Sequence, residues 1–399
     1  MKIGFVDYSH EERNRILATL KLLEEHMALD ELGVGVVRDA YADKLFPGIS
    51  TLQTRAKYFV LIPYIFSSAK KQVEKGKIRS GQEFLQWVNE AEDRLVATLK
   101  ANCPPGENGI IGINAFRRKR SVKIKPSTIY WSGLRTFGIF RGNCNLFAAC
   151  KVAYETTKRK IEMENQCDGE SYDDPTAKDQ GSSLFLPIKL EYDYEKEASM
   201  DLTQKEAEYL KNCIQTSPAT SDSLLAFFVK EQTMKQPDVA DFQSIPADQL
   251  PESIRRVYFL AKEFSDFIYG AHLRYNVIFS EYNDENMNAK FNEWREEFLS
   301  KPFKLKPILD GVVSYSSPLR SFCEEFLDAV RKNDRDAVDN LIVQREIQVK
   351  GPRSKLRKPS EYCYNRDNPV HFYKLDFRFD RAIRIVRDIR AGLGGERNV

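Results

Sequence analysis

Apolar residues recur at helical spacing through most of the chain. Ile16, Leu17, Leu20, Leu23 and Met27 fall three or four apart in the otherwise charged segment Glu11 to Leu29, which predicts a surface helix. Leu45 to Phe66 opens on Phe46, Pro47 and Gly48; Ser50 and Gln53 then predict a capping box for a helix through Ala56 and Phe59. Gln82 to Lys100 predicts another helix, stopped by Pro104 and Pro105. Further on, Leu184 to Leu190 predicts a short strand, and Thr203 to Ile214 a helix with Thr203 as its cap. Ser253 to Phe279 predicts a long amphipathic helix rich in Tyr and Phe, followed by Met287 to Leu299. Ser317 and Pro318, a cap and a first-turn proline, start a helix to about Lys332. Arg335 to Ile347 is the next predicted helix, and Asp380 to Ala391, closed by Gly392, is the last.

The fold class expected from this pattern is mainly α with minor β. A length of 399 residues fits two or three domains. The run Glu164 to Ser183 has Gly, Pro, Asp and Ser in loop proportions and almost no apolar side chain, so the division is expected there. It gives an N-terminal helical domain over 1–165, an acidic and polar linker over 166–183, and a C-terminal helical domain over 184–399. The 25 Phe and 18 Tyr residues supply ample apolar surface for cores. Seven scattered cysteines with no C-x-x-C pair read as reduced thiols, hence a cytoplasmic setting. Asp7 interrupts the N-terminal apolar residues too early for a signal peptide, and no later stretch approaches eighteen uncharged apolar residues, so no membrane partner is expected.

Charge adds what periodicity does not. The net charge is only +3, but it is divided into blocks. Residues 110–160 hold twelve Lys or Arg and one acid, whereas residues 161–210 hold fourteen acids and four Lys. Within the basic block Arg117, Arg118, Lys119, Arg120, Lys123 and Lys125 form a cluster without an acid. Pro126 and Ser127 then start a helix through Ile129, Tyr130, Trp131, Leu134 and Phe137, and a second helix, Asn145 to Lys160, ends in Lys158, Arg159 and Lys160. With Arg135, Arg141 and Lys151 around the turn, residues 126–160 are compatible with a helix-turn-helix-like unit. The phosphates of DNA or RNA are the natural partner of such a surface. Three alternatives stand beside it: the basic block pairs with the acidic block of the same chain, it docks a protein partner, or it holds an anionic small ligand. A second basic stretch, Lys350 to Lys358 with Arg353, Lys355 and Arg357, is broken by Gly351 and Pro352 and reads as a loop, either a further phosphate contact or a solvated segment.

Enzyme chemistry finds little support. Gly76-Lys77 lacks the upstream Gly and the following hydroxyl of a phosphate loop, and Gly33-Val34-Gly35 lacks the third glycine of a dinucleotide fingerprint. His10, His26, His272 and His371 have no second ligand at i+3 or i+4, so no metal and no cofactor are expected. Arg38, Asp39, Gln53, Thr54, Arg55 and Lys57 form a dense polar set on otherwise apolar elements, and read as ion pairs organising the domain or as partner contacts.

The stretches Ile3 to Ser9, D-E-L-G-V-G-V-V-R-D-A (Asp30 to Ala40), L-F-P-G-I-S-T-L-Q-T-R-A-K-Y-F (Leu45 to Phe59) and Leu375 to Phe379 with Asp388-Ile389 resemble an uncharacterised bacterial family of about this length. The resemblance implies a setting in phage-defence and mobile islands beside helicase or nuclease genes, and brings no catalytic residue. The sequence therefore leads to a nucleic-acid-binding, non-catalytic component of a defence complex. A scaffold or regulator of a helicase or nuclease partner, and an enzyme with an unrecognised motif, are the alternative readings.

Overall fold

A computed structural model describes residues 30–166, 184–189, 191–230, 239 and 241–394. Fifteen α-helices are present among them. In chain order they are α1 (Gly35–Leu45), α2 (Tyr58–Glu74), α3 (Gly81–Asn102), α4 (Ile113–Arg117), α5 (Pro126–Thr136), α6 (Leu146–Gln166), α7 (Tyr194–Glu197) and α8 (Gln204–Thr216). There follow α9 (Leu224–Lys230), α10 (Glu252–Phe279), α11 (Glu285–Leu299), α12 (Leu305–Leu309), α13 (Pro318–Lys332), α14 (Arg335–Lys350) and α15 (Phe379–Gly392). The expectation of a mainly helical chain is met, and β structure among the described residues is a single bridge between Phe140 and Phe185. No described helix is long and apolar enough to cross a membrane.

The chain forms two compact units, each discontinuous in sequence. One takes the residues up to Tyr41 and Arg256–Phe377; the other takes Ala42–Arg255 and the residues from Arg378. Most of the polar run expected to separate domains, 167–183, lies outside the described residues. The residues before and after it belong to one unit, where the sequence predicts a boundary. The reason is local: Arg141 N donates to Leu184 O and Leu186 N to Ile139 O, and Phe185 packs on Phe66, Trp131 and Phe140.

The unit holding Ala42–Arg255 is built around α2. Ten of its 17 residues are buried, including Tyr58, Phe59, Ile62, Ile65 and Phe66, so it is apolar nearly all round and is covered by α3, α5, α6 and α8. α15 closes the unit against α8 and α9. Ser50 and Gln53 do not cap a helix: Gln53 accepts from Ser50 N and donates to Gly48 O, while Ser50 Oγ has no partner. Only half of the capping box exists, it pins a loop, and the helix starts at Tyr58. Thr203, by contrast, forms the full reciprocal box with Glu206 at the head of α8.

In the other unit α10 meets α11, α13 and α14, and α12 packs on α13. Phe267 meets Phe298, Phe303 and Phe326, and Trp294 lies flat beside Phe298. Arg274 makes a bidentate pair with Asp339 at 2.5 and 2.7 Å. Ser317 caps α13 with Pro318 in its first turn, as the sequence predicts.

Close packing in the unit built around α2 includes an approach that a missing side chain allows. A Cβ at Gly133 of α5 would lie 2.6 Å from Gly48 O and 2.7 Å from the Phe59 ring. Gly133→Ala is therefore expected to cost about 1–3 kcal/mol despite its better helix propensity. Ser132→Ala, one residue away and exposed, is expected to stay within about 0.5 kcal/mol of the parent. Urea midpoints of the two variants check this; equal midpoints would show that the close approach does not matter.

Candidate nucleic-acid interface

The basic cluster is held from below by two consecutive acids of α3. Asp93 receives Lys125 Nζ at 2.6 Å, Ser121 Oγ at 3.0 Å and Val122 N at 3.2 Å. Glu92 is buried and receives Ser127 N at 2.6 Å and Ser127 Oγ at 3.0 Å. Pro126 is the first residue of α5 and Lys125 offers no side-chain cap, so Glu92 supplies the cap from another helix. Between these anchors Val122 is buried over Gly112, whose φ of +87° and missing Cβ allow the chain to turn tightly beneath it.

What the anchors hold up is α4 and the turn that ends it. Arg118 N donates to Ala115 O, Lys119 N to Phe116 O and Arg120 N to Ala115 O, with Lys119 in the left-handed region at φ +53°. Arg117, Arg118, Lys119, Arg120 and Lys123 are all exposed, and none has a carboxylate partner among the described residues. Phe116 is 36% exposed in the same short helix, and Lys100 of α3 places its Nζ 5.4 Å from the ring centroid. The result is a turn of exposed cations that follows one partly exposed aromatic ring, with the backbone anchored behind it at Val122 and Ser127.

The other basic positions divide. Lys125 is not available to a ligand, because it binds Asp93 and Asn89 O. Arg135 binds the Asn143 side chain, and Arg141 is exposed. In α6, Lys158 and Lys160 lie 3.8 Å from Glu162 and Glu164, one turn on, and Arg159 is exposed. Both helices expected over 126–160 exist, but residues 137–145 join them and α6 packs mainly on α3 and α2. That connection is longer than the three or four residues of a helix-turn-helix. Among the described residues, the ion pairs between the basic and acidic blocks are Lys158–Glu162 and Lys160–Glu164, both within α6; acids further on serve other groups, such as Glu206 with Lys57.

In the unit holding Arg256–Phe377, Arg353 and Arg357 are exposed, whereas Lys355 is tied down by Glu31 at 3.3 Å and by its own N–H to Glu346. Arg38 pairs with Asp39 at 3.2 Å. In the other unit Arg55 binds Asp388 at 3.0 Å, Asp201 at 3.7 Å and Glu107, while Ala56 N also donates to Asp388. Burial pushes the Asp388 carboxyl up, with Arg55 pulling against it. Arg38 thus pairs with its sequence neighbour, whereas the partners of Arg55 come from distant parts of the chain.

One constellation escapes sequence reasoning. His272 and His371, isolated in sequence, stack at 5.0 Å, and His371 Nε2 bonds Glu31, which also takes Lys350 Nζ at 2.6 Å. Burial opposes ionisation of Glu31, but His371 and Lys350 hold its carboxyl at about 2. Burial, then the neighbouring His371, brings His272 down to about 3, and neither of its ring nitrogens has a hydrogen-bond partner among the described residues. No group of three His, Cys, Asp or Glu side chains among the described residues is arranged to hold a metal. Glu31 and His371 are 340 residues apart, a separation that leaves no periodic signal for their contact.

Fold and surface together define a two-unit helical protein that presents an anchored, uncompensated cationic turn. The chain belongs to a family of unknown function, DUF6361, whose model matches residues 1–296. That range takes in the N-terminal stretches quoted above and stops short of Leu375 to Phe379. No curated protein and no solved structure matches it.

Glu92 gives the site a pH signature. Burial pushes its carboxyl up to about 8, with the Ser127 donors and then Lys125 pulling down. The folded value exceeds the unfolded one, so the stabilisation from protonation is complete below about pH 4.5 and is lost as pH rises through about 8. Glu92→Gln should flatten the fall in stability between about pH 5 and 8 relative to the parent. Parallel urea-midpoint curves for the two proteins would contradict this.

Proposed function

We propose that this protein is a nucleic-acid-binding component of a bacterial defence assembly. The observation that carries the binding reading is the turn at 117–123, where five exposed cations have no carboxylate partner among the described residues and stand on an anchored backbone. Holding like charges together costs energy in the free protein, and a polyanion relieves that cost while releasing counterions from its phosphates. The defence setting, and a helicase or nuclease as the neighbouring protein, come from the family resemblance and its N-terminal stretches.

The test is a binding isotherm at several salt concentrations. Arg117→Gln, Arg118→Gln, Arg120→Gln and Lys123→Gln are combined, with Lys119 left in place because its φ of +53° makes it sensitive to substitution. Affinity for labelled oligonucleotides should fall, and the slope of log K against log salt should shrink by about 0.7 to 0.9 for each phosphate that the variant no longer neutralises. An unchanged slope in a folded variant would reject the site, and a parent protein that binds no nucleic acid would favour the scaffold reading.

A further inference from the structure

The site also bears on which form of nucleic acid it takes, an inference that rests on the binding reading above. Duplex recognition through a groove needs an element that enters it, usually a helix whose N-terminal residues reach the base edges. Here the unpaired cations sit on the five-residue α4 and its terminal turn, too short to lie along a groove. Three of the four basic residues of the long α6 lie in its C-terminal half, and two of these are paired with acids of the same helix.

The exposed ring of Phe116 is the second element. It belongs to the same turn of helix as Arg117, it is 36% exposed although water contact with an aromatic face is unfavourable, and Lys100 Nζ stands 5.4 Å from its centroid with no carboxylate of its own among the described residues. An exposed aromatic ring beside unpaired cations on an anchored backbone is the arrangement that takes an unpaired base on the ring and the adjoining phosphates on the cations. A duplex has its bases stacked on one another and offers such a ring nothing except at its ends.

We infer that the surface formed by Phe116, Lys100 and Arg117 to Lys123 binds single-stranded nucleic acid, with Phe116 stacking a base. The anchored backbone, at Gly112 with Val122 and at Asp93, holds Phe116 and the cations on one fixed stretch of chain, so stacking and phosphate contact can be made by the same strand.

The experiment compares a labelled 20-nucleotide single strand of mixed sequence with its duplex, at one salt concentration, for the parent, Phe116→Ala, Phe116→Leu and Phe116→Trp. The parent should bind the single strand about tenfold or more tightly than the duplex. Phe116→Ala and Phe116→Leu should each weaken single-strand binding about tenfold and leave the duplex within about twofold; Phe116→Trp should keep the preference. Leu retains the apolar bulk under Lys100 while losing the flat face, so its loss cannot be assigned to unfolding. Tighter or equal duplex binding by the parent would overturn the inference, as would single-strand affinity in Phe116→Leu equal to the parent's. If the parent binds neither form, the binding reading itself fails.

Discussion

Glu92 and Asp93 are neighbours on α3, yet their environments give them opposite jobs. Glu92 points inward, is desolvated, and ends the otherwise uncapped start of α5 by accepting from Ser127. Asp93 points to the flank, pairs with Lys125, and gathers Ser121 and Val122. One fixes where α5 begins; the other fixes the loop that leads into it. The 121–127 end is tied to α3, itself packed on α2, and at the other end Ile111 N donates to Tyr58 Oη of α2, so the backbone that carries the cations is held at both ends. A flexible basic segment would spread its charges and lose part of its binding energy to ordering; this one has met that cost on folding.

The same kind of anchoring operates deeper in this unit. Arg55 is surrounded by Asp388, Asp201 and Glu107, and Lys57, almost wholly buried, donates to Glu206 and to Asp201 O. Burial pulls the Lys57 amine down, with Glu206 opposing, so the buried ammonium depends on its partner 2.7 Å away. Such pairs tie α15 and α8 to the loop before α2, and removing one partner would leave a buried charge. Their placement inside, and that of the 117–123 cations outside, separates basic residues that organise the fold from those left for a ligand.

The helices are legible in the sequence where apolar spacing and caps agree. Ser317-Pro318 and Thr203 with Glu206 mark their boundaries because each acts within one turn of its own helix, whereas Gly392, expected to close α15, is its last helical residue and Gly394 takes the left-handed conformation. Ser50 and Gln53 show the limit of that logic: the spacing is right, but Gly48 and a loop satisfy Gln53 before a helix can. The exposed cluster is readable from charge alone, and Phe116 stands beside it in the sequence. The long-range partners are not readable. Nothing near Arg55 in the sequence points to Asp388, 333 residues on, and Lys355 has the look of a free cation until Glu31 closes on it. The division into units is hidden for the same reason, since each is made of segments from distant parts of the chain.

If the cationic turn binds nucleic acid because Asp93 holds it in shape, charge and shape make opposite demands on one substitution. Asp93→Asn removes a negative charge beside the cluster, so attraction to phosphate alone would tighten binding. It also takes away the ion pair with Lys125 and weakens the hold on Ser121 and Val122. Oligonucleotide affinity of the parent and of Asp93→Asn, measured at the same salt with both proteins shown to be folded, decides between them. The prediction is weaker binding in the variant in spite of its more positive charge; equal or tighter binding would contradict it.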